Sequence, residues 1–193
     1  RLDSTNVITP EVSVITNISF DHTALLGNTL EKIAIEKSGI IKKNIPVVIG
    51  ESEKETRSVF ERIAKEKNSP ILFADENEIS ENIESDLKGI YQKKNIKTVL
   101  AAIKILREKG FTISEEEKLL GLKNVVKQTG LLGRWQILSE DPLSIADTGH
   151  NEAGMKEVLK QISITPHEQL HFVLGMVNDK DVSAILKLLP GTA

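Results

Sequence analysis

The strongest constraint on this chain is an alternation. Short, β-branched apolar runs are each followed by an amphipathic stretch, and the sequence repeats this several times. "VSVITNIS" (12–19) reads as a strand and "NTLEKIAIEKSG" (28–39) as a helix, with Asn28 or Thr29 as cap and Gly39 as stop. "IPVVIG" (45–50) and "PILFA" (70–74) read as strands around a largely helical "ESEKETRSVFERIAKEKN" (51–68). Strands that alternate with helical patterns predict βαβ units and a mainly parallel sheet, hence an α/β fold.

After an acidic, aperiodic loop or irregular hairpin at 76–89, helices are expected over 95–110 and from Ser114, where Ser114 and Glu117 form a capping box. "VVKQTGLLGR" (125–134) breaks the helical pattern with two glycines and places a domain boundary. We therefore expect one unit over 1–128 and a second over 129–193. In the second, "WQILSEDPLSIAD" reads as a hairpin, 151–162 as a helix, "LHFVLGM" (170–176) as a strand and 181–189 as a helix.

Composition narrows the function. The chain has no cysteine, which removes disulfides and thiolate metal sites and suits a reducing cytoplasm. A net charge of −3 with Lys and Glu interspersed leaves no basic stripe, so nucleic acid is not an expected partner. No apolar run approaches the roughly 20 residues that span a bilayer, so no membrane is expected either. The chain opens on Arg1 without a signal-like segment, which leads us to expect an internal piece of a longer protein.

Ligands of open α/β sheets bind beyond the carboxyl ends of strands, and three polar clusters are expected at such ends. After 12–19 comes Asp21-His22. Either Asp21 caps a turn and His22 is a surface residue, or the carboxylate orients an imidazole that binds a metal. Fifteen residues on, Lys37 ends a helix; it offsets the helix dipole, donates to phosphate, or becomes an anionic carbamate. In "ADTGHN" (146–151), Asp147 ends a strand and His150-Asn151 open a helix. That is an N-capping turn, or a site where Asp147 accepts from a ribose and the helix N–H groups take an anion. Arg134 could reach a phosphate or a nearby carboxylate, Asn95 reads as an N-cap, and Trp135 as core or cation–π packing.

In this order, "RLDSTNVITP", "ISFDHTALLG", "IAIEKSGIIK", "GR" and "DTGHN" resemble the folylpolyglutamate synthase and dihydrofolate synthase family, a branch of the Mur ligases. The resemblance covers essentially the whole chain. It implies part of a P-loop ATPase domain followed by the start of a Rossmann-like domain, with the active site between them. It also implies a ligase reaction: ATP turns a carboxylate into an acyl phosphate, which the amino group of L-glutamate attacks. By resemblance His22 is the magnesium-binding histidine and Lys37 the lysine that is carbamylated and helps hold the metal. Asn95, Arg134 and Asp147 match ATP contacts, and His150 belongs near the glutamate or phosphate end. Leu2, Asp3 and Ser4 match a stretch of the pterin pocket. The implied cofactors are ATP and Mg2+, the substrates a folate or pteroate with L-glutamate, and the state a cytoplasmic monomer.

The sequence departs from that pattern in three ways. The family's Asp-Gly-Ala-His-Asn is here Asp147-Thr148-Gly149-His150-Asn151, and Ser38 replaces an alanine, which could add a hydroxyl near a metal. No G-x-x-x-x-G-K-[ST] occurs, so the 193 residues alone are expected not to turn over ATP. The family's acidic magnesium ligand is expected before Arg1. Two other readings stand beside this one: a ligase that adds an amino acid to a UDP-muramoyl peptide, and a non-catalytic α/β binding module.

Overall fold

The computed structural model describes residues 4–20, 26–77, 83–176 and 182–191. Contacts divide the chain into two units, Arg1–Ser85 with Gln92–Asn124 and Asp86–Tyr91 with Val125–Ala193. The division falls at 124/125, four residues before the expected boundary. It also assigns a short earlier segment, Asp86–Tyr91, to the second unit.

The first unit is built on a three-stranded parallel sheet of β1 (Ser13–Ile15), β2 (Val47–Ile49) and β3 (Ile71–Phe73), in that order. Each strand is shorter than the apolar run that predicts it, because only these residues find ladder partners. Register decides what each side of the sheet buries. The row Ile15, Ile49, Phe73 and the row Val47, Ile71 point to one face; Val14, Val48 and Leu72, one residue out of step, point to the other.

The first face is covered by the two crossover helices, α1 (Leu30–Lys37) and α2 (Lys54–Glu66), through Ala34, Val59, Phe60 and Ala64. Thr29 caps α1 by accepting the Lys32 N–H, and Glu53 with Thr56 forms a capping box on α2. The other face is covered by Ala101 and Ile105 of α3 (Gln92–Glu108), so helices lie on both sides, as a parallel sheet requires. Arg57 of α2 stacks its guanidinium 3.8 Å above the Phe73 ring, which is where this unit makes its cation–π contact.

The helix α4 (Glu115–Lys123) carries the expected box: the Glu117 N–H donates to Ser114 Oγ and the Ser114 N–H to the Glu117 carboxylate. These bonds, the Ser114 N–H first, hold the Glu117 carboxyl below its ordinary 4.5. The box is thus fully formed above about pH 4.5 and is lost as pH falls through the depressed value. Ser114→Ala is expected to cost about 1 kcal/mol in denaturant unfolding at pH 7. No measurable cost would show that α4 does not need its cap.

In the second unit β4 (Gln136–Glu140) and β5 (Leu143–Ala146) form the expected antiparallel hairpin around a cis Asp141-Pro142 bond. A short helix, α5 (Val125–Thr129), precedes it. The helix α6 (Glu152–Ser163) follows and contacts α7 (Val182–Leu186), burying Met155, Val158 and Ile185. Leu170–Met176 is not a strand: it pairs with no ladder among the described residues, and Val173 is fully exposed. An apolar run becomes a strand only when another strand takes its hydrogen bonds, and the hairpin does not reach it. Among the described residues no helix is long and apolar enough to cross a membrane.

Candidate functional site

In the first unit the carboxyl edge of the sheet is closed by polar ties. The Gly50 N–H donates to Ile15 O at 2.8 Å and the Glu51 N–H to Thr16 O at 2.9 Å, so β1 and β2 stay together past their ends. Asp75, after β3, accepts from the Ser52 N–H at 2.8 Å and the Ser52 hydroxyl at 3.1 Å. Lys94 of α3 pairs with Glu51 at 2.8 Å, bringing the start of α3 to this rim.

Asn95 is therefore near the expected edge, but it is not an N-cap. The helix begins at Gln92, and Asn95 is the fourth residue, exposed, donating from Nδ2 to Gln92 Oε1 at 2.8 Å. Its short polar side chain suits a cap, yet the chain turns helical three residues earlier.

Lys37 stands elsewhere. A crossover helix runs back along the strands, so the last turn of α1 arrives at their amino ends. There Ile40 O accepts the hydroxyl of Ser13, the first residue of β1, at 2.9 Å, and Gly39 O accepts Asn6 Nδ2 at 3.1 Å. Asn6 belongs to the turn Ser4–Val7. The structure thus brings the Lys37 segment beside the turn that starts with Ser4, not beside Asn95. Lys37 is exposed, and among the described residues no carboxylate pairs with it. Ser38 adds no hydroxyl to a metal site: it is buried, and its Oγ donates to Ala34 O at 2.6 Å. His22, Leu2 and Asp3 lie outside the described residues, and among those that are described no three His, Asp or Glu side chains gather to hold a metal.

The second unit brings three predicted residues together through hairpin register. Gln136 faces Ala146, so continuing the ladder outward sets Trp135 opposite Asp147. The Thr148 N–H donates to Gly133 O at 2.9 Å, one residue out of that register, so the pairing shifts at Trp135, whose φ is positive. Gly133 has φ +71°, and a Cβ there would meet Thr148 Cγ2 at 2.4 Å, so the ladder closes only over a glycine. Trp135 itself adopts φ +50° and is buried, so it is core rather than a partner for Arg134.

Asp147 holds this loop. Its Oδ2 accepts the Trp135 N–H at 2.7 Å and the Tyr91 hydroxyl at 2.7 Å; its Oδ1 accepts the Gly149 N–H at 2.8 Å. Arg134 is exposed and donates from Nη1 to Thr148 Oγ1 and to Gly133 O. Among the described residues its Nη2 and Nε make no hydrogen bond, which leaves a donor fork of the kind that suits phosphate. His150 Nδ1 lies 3.1 Å from Thr148 O. In the tautomer that carries its proton there, this nitrogen donates to the carbonyl. Asn151 then caps α6 by accepting the Gly154 N–H at 2.8 Å.

Sequence reading missed the segment that completes this loop. Gln161 of α6 accepts the Ile90 N–H at 2.6 Å and donates to Lys88 O at 3.1 Å; Asp86 accepts from the N–H groups of Val126 and Lys127 at the start of α5. The one signal was Tyr91, the sole tyrosine of the chain.

The Mur ligase middle domain matches residues 1–126. The probable dihydrofolate synthetase of Schizosaccharomyces pombe is 34% identical over 98% of this chain and 49% of its own. The dihydrofolate synthase/folylpolyglutamate synthase of Bacillus subtilis is 30% identical over 98% of this chain and 48% of its own. A solved bifunctional folylpolyglutamate synthase/dihydrofolate synthase with Mn, AMPPNP and L-glutamate bound has a TM-score of 0.79 and 27% identity, covering 96% of this chain and 46% of that one. The chain spans about half the length of these relatives. With a family match over most of its residues and relatives along nearly all of them, this chain belongs to the Mur ligase family.

Proposed function

We propose that the protein carrying this chain is an ATP-dependent ligase that joins L-glutamate to dihydropteroate, to tetrahydrofolate, or to both. The observation that carries this reading is alignment with dihydrofolate and folylpolyglutamate synthases along 98% of the chain, second unit included. In the reaction a carboxylate oxygen of the acceptor attacks the γ-phosphorus and ADP leaves. The amine of L-glutamate then attacks the acyl carbon, phosphate leaves, and an amide remains.

The roles proposed for the residues follow their positions. Arg134 offers its unused donors to a phosphate, on a loop that Asp147 holds and through which Asp147 contacts ATP. His150, on the same loop, serves the glutamate or phosphate end. Asn95, at the rim of the first sheet, contacts ATP, while Leu2, Asp3 and Ser4 contribute to the pterin pocket. The described residues do not by themselves make a magnesium site. That proposal rests on the resemblance, at His22 and at Lys37, whose exposed amine can take up carbon dioxide, lose a proton and become a carbamate. Magnesium there would offset charge on the phosphates. We further propose that residues 1–128 are part of the ATPase domain and 129–193 the start of a Rossmann-like domain. The protein would act as a monomer in the cytoplasm, which the absence of cysteine supports.

The test is phosphate release by the enzyme that carries this chain, with ATP, L-glutamate and one acceptor at a time. Release that depends on dihydropteroate or a reduced folate is the expected result. Release only with a UDP-muramoyl peptide would overturn the substrate and leave the family standing. The 193 residues alone are expected to release none.

A further inference from the structure

Tyr91 stands outside every motif that carries the family resemblance, yet its hydroxyl lies 2.7 Å from Asp147 Oδ2, the oxygen that also accepts the Trp135 N–H. A second observation shows that the ring is seated there. Gly89 is buried, and a Cβ on it would stand 2.6 Å from both Cε1 and Cζ of Tyr91 and 3.0 Å from the hydroxyl. The ring therefore rests on the bare backbone of Gly89. Gln161 grips the same segment on either side of Gly89, through Lys88 O and Ile90 N. Three contacts thus fix where one phenolic hydroxyl points.

We propose that Tyr91 is a positioning residue for ATP use: it holds the Asp147 carboxylate, and through it the loop 147–151, in the orientation that meets the nucleotide. This rests on the ATP contact proposed for Asp147. The backbone donors on Asp147, Trp135 N–H and Gly149 N–H, come from neighbouring strand and turn and tie the carboxylate to its own loop. Tyr91 is the donor that comes from distant sequence, 56 residues away. Without it the carboxylate keeps its local bonds but loses the contact that fixes its tilt. Because Asp147 is proposed to contact the nucleotide and not the reacting atoms, losing its orientation weakens ground-state and transition-state binding of ATP alike, which raises KM and changes kcat little.

The experiment uses the enzyme that carries this chain. Tyr91→Phe removes only the hydroxyl and is expected to raise the KM for ATP about tenfold, with kcat and the KM for L-glutamate within about twofold and the melting temperature lowered by no more than about 5 °C. Gly89→Ala pushes the ring off its seat and is expected to raise the same KM at least as far. In an Asp147→Asn background Tyr91→Phe is expected to add less than twofold, since residues that act through one contact do not add. If Asp147→Asn raises the KM for ATP and Tyr91→Phe does not, the role of Tyr91 is overturned and the ATP contact stands. If the two effects multiply, Tyr91 does not act through Asp147, and the proposal fails. If Asp147→Asn leaves the KM for ATP unchanged, the contact fails and Tyr91 with it.

Discussion

Replacing Asp147 with alanine is expected to lower the stability of the second unit by about 3 kcal/mol. Three donors lose their acceptor at once: the N–H groups of Trp135 and Gly149 and the hydroxyl of Tyr91, all at 2.7–2.8 Å. A hydrogen bond to a charged group contributes roughly 1.5–3 kcal/mol, but Asp147 is partly exposed and water replaces much of that when the carboxylate is gone, so the three together cost less than their summed lower end of about 4.5 kcal/mol. Asn at the same position keeps one carbonyl oxygen and is expected to retain about half. The measurement is denaturant unfolding followed by the fluorescence of Trp135, the sole tryptophan, whose own N–H is one of the three donors. A loss under about 1 kcal/mol for the alanine variant would mean that the loop is held by its hairpin and not by this carboxylate.

The first unit has a comparably sensitive point at Gly50. A Cβ there would meet Thr16 O at 2.3 Å and Thr98 Oγ1 at 2.5 Å, far inside contact distance. The first of these is a backbone atom held in the ladder by the Glu51 N–H, so it cannot step aside alone. Gly50→Ala is expected to cost about 3 kcal/mol, at the upper end of ordinary overpacking, because β1 must part from β2 at the carboxyl edge. Adding Thr98→Ala removes only the hydroxyl contact and is expected to recover less than half of that loss. Full recovery would show that α3, not β1, is what Gly50 accommodates.

The elements that sequence reading places well are those specified by neighbouring residues. Thr29 and Ser114 cap their helices, and the hairpin 136–146 forms, because each depends on donors and acceptors a few residues away. Reading fails where the decision is taken at a distance. The start of α3 lies at Gln92, although Asn95 carries the stronger capping side chain. The run 170–176 has the composition of a strand but no partner. Ser38, which could have faced a ligand, turns inward to the carbonyl of Ala34 because the chain tightens after α1. For the site, the pairing of Arg134 and Asp147 on one loop follows once the hairpin register is known. The separation of Lys37 from Asn95 follows from the crossover, which motif order does not encode. Tyr91, Gln161 and Asp86 act across 40 to 73 residues and leave no local trace.

The inclusion of 86–91 in the second unit has a consequence for synthesis. The segment leaves the ribosome 56 residues before Asp147 and 73 before Gln161. At roughly 5–20 residues per second, Tyr91 waits about 3–11 s for its acceptor, and Lys88 and Ile90 about 4–15 s for theirs. During that time α3 is made and can dock on the first sheet. The second unit thus closes by recapturing a piece of chain made earlier. Slowing translation between 92 and 161 would lengthen that exposed interval without changing a single native contact.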